Sequence, residues 1–237
     1  KFENINFNYS NKKFHLSNIN TKINKGSKVG IVGKSGSGKS TFIDLLMGLI
    51  EPKNGFIKID DENLTSKNIY KWHKIISHIP QSSYLSNETI YENIAYGVNT
   101  EEINKDLVEN IVKKLKLESI IHLMEKGYDT KLGEKGNNLS GGQRQKIAFA
   151  RSLYRNFDVL VIDEATSSMD NISEELIFEE IYNLENKTVF IISHRLAFLK
   201  KCDLILEFSN GKIINTGKYD ELLSKSLSFQ KLAKNTK

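Results

Sequence analysis

The chain has 237 residues, 39% of them hydrophobic and 27% charged, which is enough apolar material for a folded core. That mixture excludes a disordered tail, a collagen-like repeat and a mini-protein dependent on cross-links. Lysine plus arginine number 34 against 29 acidic residues, and the resulting +5 permits a nucleotide, nucleic-acid or membrane partner without requiring one. Cys202 is the single cysteine, so an internal disulfide framework and a multi-cysteine zinc site are ruled out and an intracellular compartment fits best. No apolar run approaches the roughly 18 residues of a membrane span. There is no signal-peptide pattern, and the start at Lys1 rather than Met predicts an excised piece of a longer protein.

Residues 2–7 and 14–23 alternate apolar and polar side chains, as half-exposed antiparallel strands do. From Lys28, KVGIV reads as a short buried strand. KSTFIDLLMGL follows as a helix with Phe42, Leu45, Leu46 and Leu49 on its apolar face. Helical patterns are predicted at roughly 101–125, 141–154 and 172–184, and the buried-strand runs FDVLVIDE (157–164) and KTVFIISH (187–194) fall among them. Strands alternating with helices predict an α/β fold with a mostly parallel sheet and its chemistry at the carboxyl edge. Asn210-Gly211 signals a hairpin, and two short amphipathic helices are predicted at 218–224 and 227–234. With only two prolines and no Gly/Ser linker, 1–237 reads as a single domain.

GKSGSGKS (33–40) fits the phosphate-loop pattern and sits between a predicted strand and a predicted helix, the context that pattern needs. Gly33, Gly36 and Gly38 let backbone N–H groups turn inward around phosphate oxygens. The helix that begins there presents its positive end to the same anion. Lys39 reaches the β- and γ-phosphates, and the Ser40 hydroxyl is placed to ligate Mg²⁺. In VLVIDE (159–164), Asp163 emerges from a buried strand, where a carboxylate holds the Mg²⁺ shell. Glu164 lies one residue farther out, where a base would deprotonate an attacking water. LSGGQRQK (139–146) sets Ser140 and two glycines at a helix start, a second anion-binding terminus, and the glycine pair there predicts close approach by something large.

Together these motifs resemble the ABC-type ATPases along nearly the whole chain. The resemblance implies a P-loop NTPase core, an N-terminal antiparallel β subdomain (1–27) and an α-helical signature subdomain. The core would take 28–80 and 156–237, leaving 81–155 for the glutamine loop and the signature helices. It implies ATP and Mg²⁺ as ligands, with Lys34, Ser35, Ser37 and Thr41 completing the phosphate loop and Gln143 completing the signature of Ser140, Gly141 and Gly142. Tyr9 takes the place of an aromatic residue stacked on adenine, and Gln81 that of a glutamine that senses Mg²⁺ and faces the transmembrane partner. Asp170 in SSMD (167–170) would communicate across a subunit interface, and His194 would contact the γ-phosphate. His15, His73, His78 and His122 have no such framing and read as surface or structural histidines.

GYDTKLGEKGNNLSGGQ (127–143) is similar to the exporter branch, in which a loop matched here by Glu134 touches the membrane domain. With SNETIYENIAYG (86–97), it implies an exporter or flippase whose membrane helices precede Lys1 and contact 81–97 and Glu134 at the cytoplasmic face of the inner (plasma) membrane. Two copies, or a copy and a paralogue, would pair head to tail around two ATP molecules, and no nucleic acid is expected. The alternative is a soluble relative acting on chromosomes or ribosomes. Only 100 positions separate Lys39 from Leu139, which leaves no room for long coiled-coil arms, and no basic inserted arm is visible. A P-loop kinase or GTPase lacks the signature, and an importer would not carry the GEKG segment.

Overall fold

The computed structural model describes residues 1–9, 15–166 and 168–234, so Phe14 of the second predicted strand and Ser167 of SSMD lie outside the described residues. The chain opens on two antiparallel strands, β1 (Phe2–Asn8) and β2 (His15–Thr21), whose inward residues Phe2, Ile5, Leu16 and Ile19 are buried. Next, β3 (Lys28–Gly33) is buried up to its last residue and feeds α1 (Lys39–Met47). Phe42, Leu45 and Leu46 are buried as expected, but Leu49 is 61% exposed. The helix stops short of it: Gly48 N–H bonds the Leu45 carbonyl, Leu49 N–H bonds the Asp44 carbonyl, and the last turn is closed. The next elements had no predicted counterpart: β4 (Asn54–Ile59), β5 (Glu62–Asn63), α2 (Ile69–Ile75) and β6 (Ile76–Ile79). Trp72 anchors α2 by donating its indole N–H to the Leu46 carbonyl at 2.8 Å.

After α3 (Ile90–Ile94), the helix expected over 101–125 is broken into a 3₁₀ turn at Thr100–Glu102, α4 (Lys105–Lys114) and α5 (Glu118–His122). Asn104 caps the start of α4 through the Leu107 N–H, and Lys116, at φ 51°, turns the chain out of it. Next come α6 (Gly141–Tyr154), β7 (Val159–Asp163), α7 (Asn171–Tyr182) and β8 (Thr188–Ile192), close to the predicted spans. The chain ends in the expected hairpin of β9 (Leu204–Ser209) and β10 (Lys212–Gly217), then α8 (Tyr219–Lys225) and α9 (Leu227–Lys234). No helix among the described residues is long and apolar enough to cross a membrane.

The chain forms two compact units, Lys1–Ile76 with Glu185–Lys237, and Ser77–Leu184. In the first, β2-β1-β4-β5 make an antiparallel sheet, and β3 lies between β8 and β9, parallel to both, with β10 antiparallel on β9. This is the expected α/β arrangement of parallel strands beside an N-terminal antiparallel sheet. Phe42 on α1 links the two, its ring centroid 4.6 Å from that of Phe2 and 5.2 Å from that of Phe208. Such pairs add about 0.5–1.5 kcal/mol each beyond their buried area. In the second unit, α3 and α4 pack on α6, and β6 neighbours β7.

Candidate functional site

In the first unit the phosphate loop departs from a fully buried strand. Gly33 has φ 146°, and a β-carbon there would stand 2.4 Å from the Phe208 carbonyl oxygen and 2.6 Å from Ser37 Oγ, so only glycine fits. The loop is pinned on its far side, where Gly211 N–H bonds the Ser37 carbonyl at 2.9 Å. Helix α1 starts at Gly38 with no side-chain cap and no acidic residue in its first turn, which leaves its N-terminal dipole to an anion. Lys39 is 7% exposed and folds back over the loop, its Nζ donating to the carbonyls of Gly33 (3.0 Å) and Lys34 (3.3 Å). Ser37 Oγ is buried and has no protein partner. A loop closed to a β-carbon at Gly33, a buried ammonium and an orphaned hydroxyl together suit a polyphosphate. Lys34, Ser35, Gly36 and Ser40 are exposed along the rim, while Gly38 and Thr41 are buried.

The parallel register of β3 on β8 pairs Ile31 with Ile192. Gly33 and His194 therefore both lie two residues beyond the same rung, at one carboxyl edge, and His194 is exposed there. Ser193 shapes the turn through its hydroxyl, which accepts from Arg195 N–H at 3.0 Å. Tyr9, just after β1, is half-buried and meets Phe7 edge-on with centroids 4.8 Å apart.

In the second unit, Asp163 closes β7 with Glu164 beside it, both half-buried. Glu164 sits at φ 52°, a left-handed conformation that a non-glycine residue holds only at a cost of about 1–3 kcal/mol. Just beyond, the buried Thr166 donates its hydroxyl to the buried Glu174 carboxylate at 2.6 Å. Ser140 caps α6: its Oγ accepts from Gln143 N–H (3.3 Å), and Gln143 Oε1 accepts from Ser140 N–H (2.8 Å). This reciprocal pair still leaves the Ser140 hydroxyl proton free to donate to an anion. Ser168 of the same chain also lies near the glycine pair: a β-carbon on Gly141 would lie 3.3 Å from Ser168 Oγ, and one on Gly142 3.4 Å from the Ser168 carbonyl. Asp170 caps α7 through Ser173 N–H at 2.9 Å, and hydrogen bonds from Ser173 hold its carboxyl below the usual range.

Gln81 is exposed, and its main-chain carbonyl accepts from Gln145 Nε2 of α6 at 3.2 Å. The stretch after it is bound to the GEKG segment. Thr89 bridges Lys131, Leu132 N–H bonds the Glu88 carbonyl, and a β-carbon on Gly136 (φ 69°) would meet Leu85 at 2.9 Å. Glu134 is exposed on the turn Glu134–Gly136, and Tyr84 and Tyr96 are exposed on the neighbouring stretch. Sequence reasoning missed two buried polar residues here, Asn93 and Gln145, and the half-buried Arg151. A faint signal existed for two of them, since Gln145 (with Lys146) and Arg151 stand on either side of the apolar run Ile147–Ala150.

Among the described residues no group of three or more His, Cys, Asp or Glu side chains could hold a metal ion. The oxygens of Ser40, Gln81 and Asp163 are nevertheless the hard donors that Mg²⁺ takes alongside water and phosphate, so the donor chemistry fits that ion.

The family described as ABC transporter matches residues 16–167. The chain is 37% identical over 227 residues to an ATP-dependent lipid A-core flippase of Saccharophagus degradans, covering 95% of this chain and 38% of that protein. It is 37% identical over 218 residues to ABC transporter B family member 28 of Arabidopsis thaliana, covering 92% of this chain and 30% of that protein. Among solved structures, a bacterial Atm1-family ABC exporter with ATP bound superposes with a TM-score of 0.91 at 32% identity, over 99% of this chain and 41% of that one. The chain thus spans about a third of the length of the relatives it matches.

Proposed function

Because the chain belongs to the ABC transporter family, as its ATP-binding domain, we propose that it is the ATP-hydrolysing motor of a membrane exporter or flippase. The observation that carries the reading is the Gly33–Lys39 cradle, closed to a β-carbon at Gly33 and roofed by the Lys39 ammonium. The exporter branch is supported by the flippase relative, by the likeness to an Atm1-family exporter and by the GEKG segment, whose Gly136 packs against Leu85.

In this reading, loop N–H groups and Lys39 bind the β- and γ-phosphates, and Tyr9 stacks on the base. Ser40, Gln81 and Asp163 hold Mg²⁺, which when bound neutralises charge on the phosphate oxygens. Glu164 accepts a proton from water as the water oxygen bonds the γ-phosphorus and the bond to the ADP oxygen breaks. His194, on the edge it shares with the loop, hydrogen-bonds the γ-phosphate. Ser140, Gly141, Gly142 and Gln143 serve the nucleotide of a second copy, so two chains close head to tail around two ATP. Phosphate loss removes the contacts that favour closure. The surface made by 81–97 and Glu134 docks the membrane domain at the cytoplasmic face, and the Thr89–Lys131 bridge makes those two regions one continuous patch.

Glu164→Gln separates binding from chemistry, since the amide keeps the shape but accepts no proton. The expected result is a turnover loss on the order of 10²–10⁴-fold, with a MgATP-dependent dimer on sizing chromatography. Wild-type turnover, or a monomer carrying ATP, would contradict the assignment.

A further inference from the structure

Helix α6 grips the 81–96 stretch at two heights, and the two grips differ. Toward its C-terminal end Arg151 is engaged through all three nitrogens: Nε donates to the Asn93 carbonyl (2.8 Å), Nη1 to the Tyr84 carbonyl (2.9 Å) and Nη2 to Asn93 Oδ1 (3.2 Å). Asn93 is wholly buried and bonds back to Ser86, Glu88 and Thr89. Nearer the signature, Gln145 is 5% exposed and only half engaged. Its Nε2 donates to the Gln81 carbonyl, while its Oε1 is buried without a protein partner. The orientation is fixed, because turning the amide over would set two oxygens together. Two residues beyond Gln81, the Ser83 hydroxyl is also buried without a protein partner. Two Cα–Cα steps span at most about 7 Å, so the spare hydroxyl of Ser83 lies close along the chain to the carbonyl that Gln145 holds.

We propose that Gln145 is the positioning residue of Gln81 and that Ser83 is its second partner. The carboxamide holds the Gln81 carbonyl in the arrangement described here. It accepts the Ser83 hydroxyl when the Gln81 peptide turns toward Mg²⁺, so a different atom of the same amide is satisfied in each arrangement. The three-bond Arg151 grip on Tyr84 and Asn93 confines the turn to 81–83. The inference rests on reading Gln81 as a Mg²⁺ ligand.

The test titrates Mn²⁺, followed by electron paramagnetic resonance, into the chain with a non-hydrolysable ATP analogue, beside thermal unfolding. Gln81→Ala and Gln145→Met are each expected to weaken Mn²⁺ binding by about tenfold, the low end of what outer-shell partners supply. Analogue affinity without metal should be unchanged, and the double variant should lose no more than either single one. Ser83→Ala is expected to raise the unfolding midpoint, by removing an unpaired hydroxyl, and still to weaken Mn²⁺ binding. A folded Gln145→Met with wild-type Mn²⁺ affinity, beside a weakened Gln81→Ala, overturns the proposal and leaves Gln81 in place. Wild-type affinity in Gln81→Ala removes that ligand and the proposal with it. If Gln145→Met does not fold, Ser83→Ala decides, and wild-type metal affinity in it overturns the proposal.

Discussion

One added methyl group separates the glycines of the phosphate loop. At Gly33 the new carbon would strike the Phe208 carbonyl, which belongs to a sheet strand and has nowhere to go. At Gly36 nothing lies within 4 Å, and only the positive φ of 74° opposes a side chain. Gly36→Ala is therefore expected to cost about 1–2 kcal/mol, and Gly33→Ala more, together with loss of nucleotide binding. Thermal unfolding and nucleotide titration of the two variants check the ordering, and equal effects would remove Phe208 from the explanation. Gly33 was legible because its motif is local, a strand, a tight loop and a helix in succession, although the Phe208 carbonyl that excludes a side chain there lies far along the chain. Asn93 was not legible and Gln145 only faintly so, because what makes them matter is an arginine or a carbonyl more than 50 positions away.

Helix α6 was read correctly from Gly141 to Tyr154, yet only its first turn was given a task. Its far end carries an arginine whose burial pushes its pKa down and whose charge is met by three oxygens of the 84–93 stretch. A lysine cannot reach three acceptors in that planar fork. Arg151→Lys is therefore expected to destabilise the chain by about 2–4 kcal/mol, since hydrogen bonds to charged groups are worth roughly 1.5–3 kcal/mol each. Chemical denaturation measures it, and an unchanged midpoint would show that Asn93 and Tyr84 hold their places alone. The same physical distinction explains the misread stretch at 101–125. Amphipathic periodicity continued across Lys116, but a single residue in the left-handed region ends a helix whatever its neighbours favour.

For the whole molecule, the decisive property is that one chain is proposed to lack half of its own site. Lys39→Ala and Ser140→Arg should each be inactive alone. Mixed, they can pair so that Lys39 from one chain meets Ser140 from the other, leaving one intact site and one doubly damaged. Up to about half of the chains pair usefully if association is unbiased, so phosphate release should partly return. A Ser140→Arg protein fully active by itself, with wild-type activity linear in concentration, would sink the head-to-tail arrangement. The fold itself was legible where apolar runs were long, as in β3, β7 and β8. It was illegible across 54–79, where short mixed strands depend on neighbours rather than on their own pattern.

The strand that launches the phosphate loop has neither of its neighbours nearby in the chain. β3 ends at Gly33, whereas β8 and β9, which flank it, begin at Thr188 and Leu204. During synthesis at roughly 5–20 residues per second, β3 waits on the order of ten seconds or more before both of its partners exist. Its apolar edges stay open while the whole of the second unit is made. Premature termination before Leu204 would therefore release, and a pause there would hold exposed, a chain with the complete GKSGSGKS motif but no completed sheet to hold its shape. Such a product is a candidate for aggregation or proteolysis rather than for a weakened ATPase.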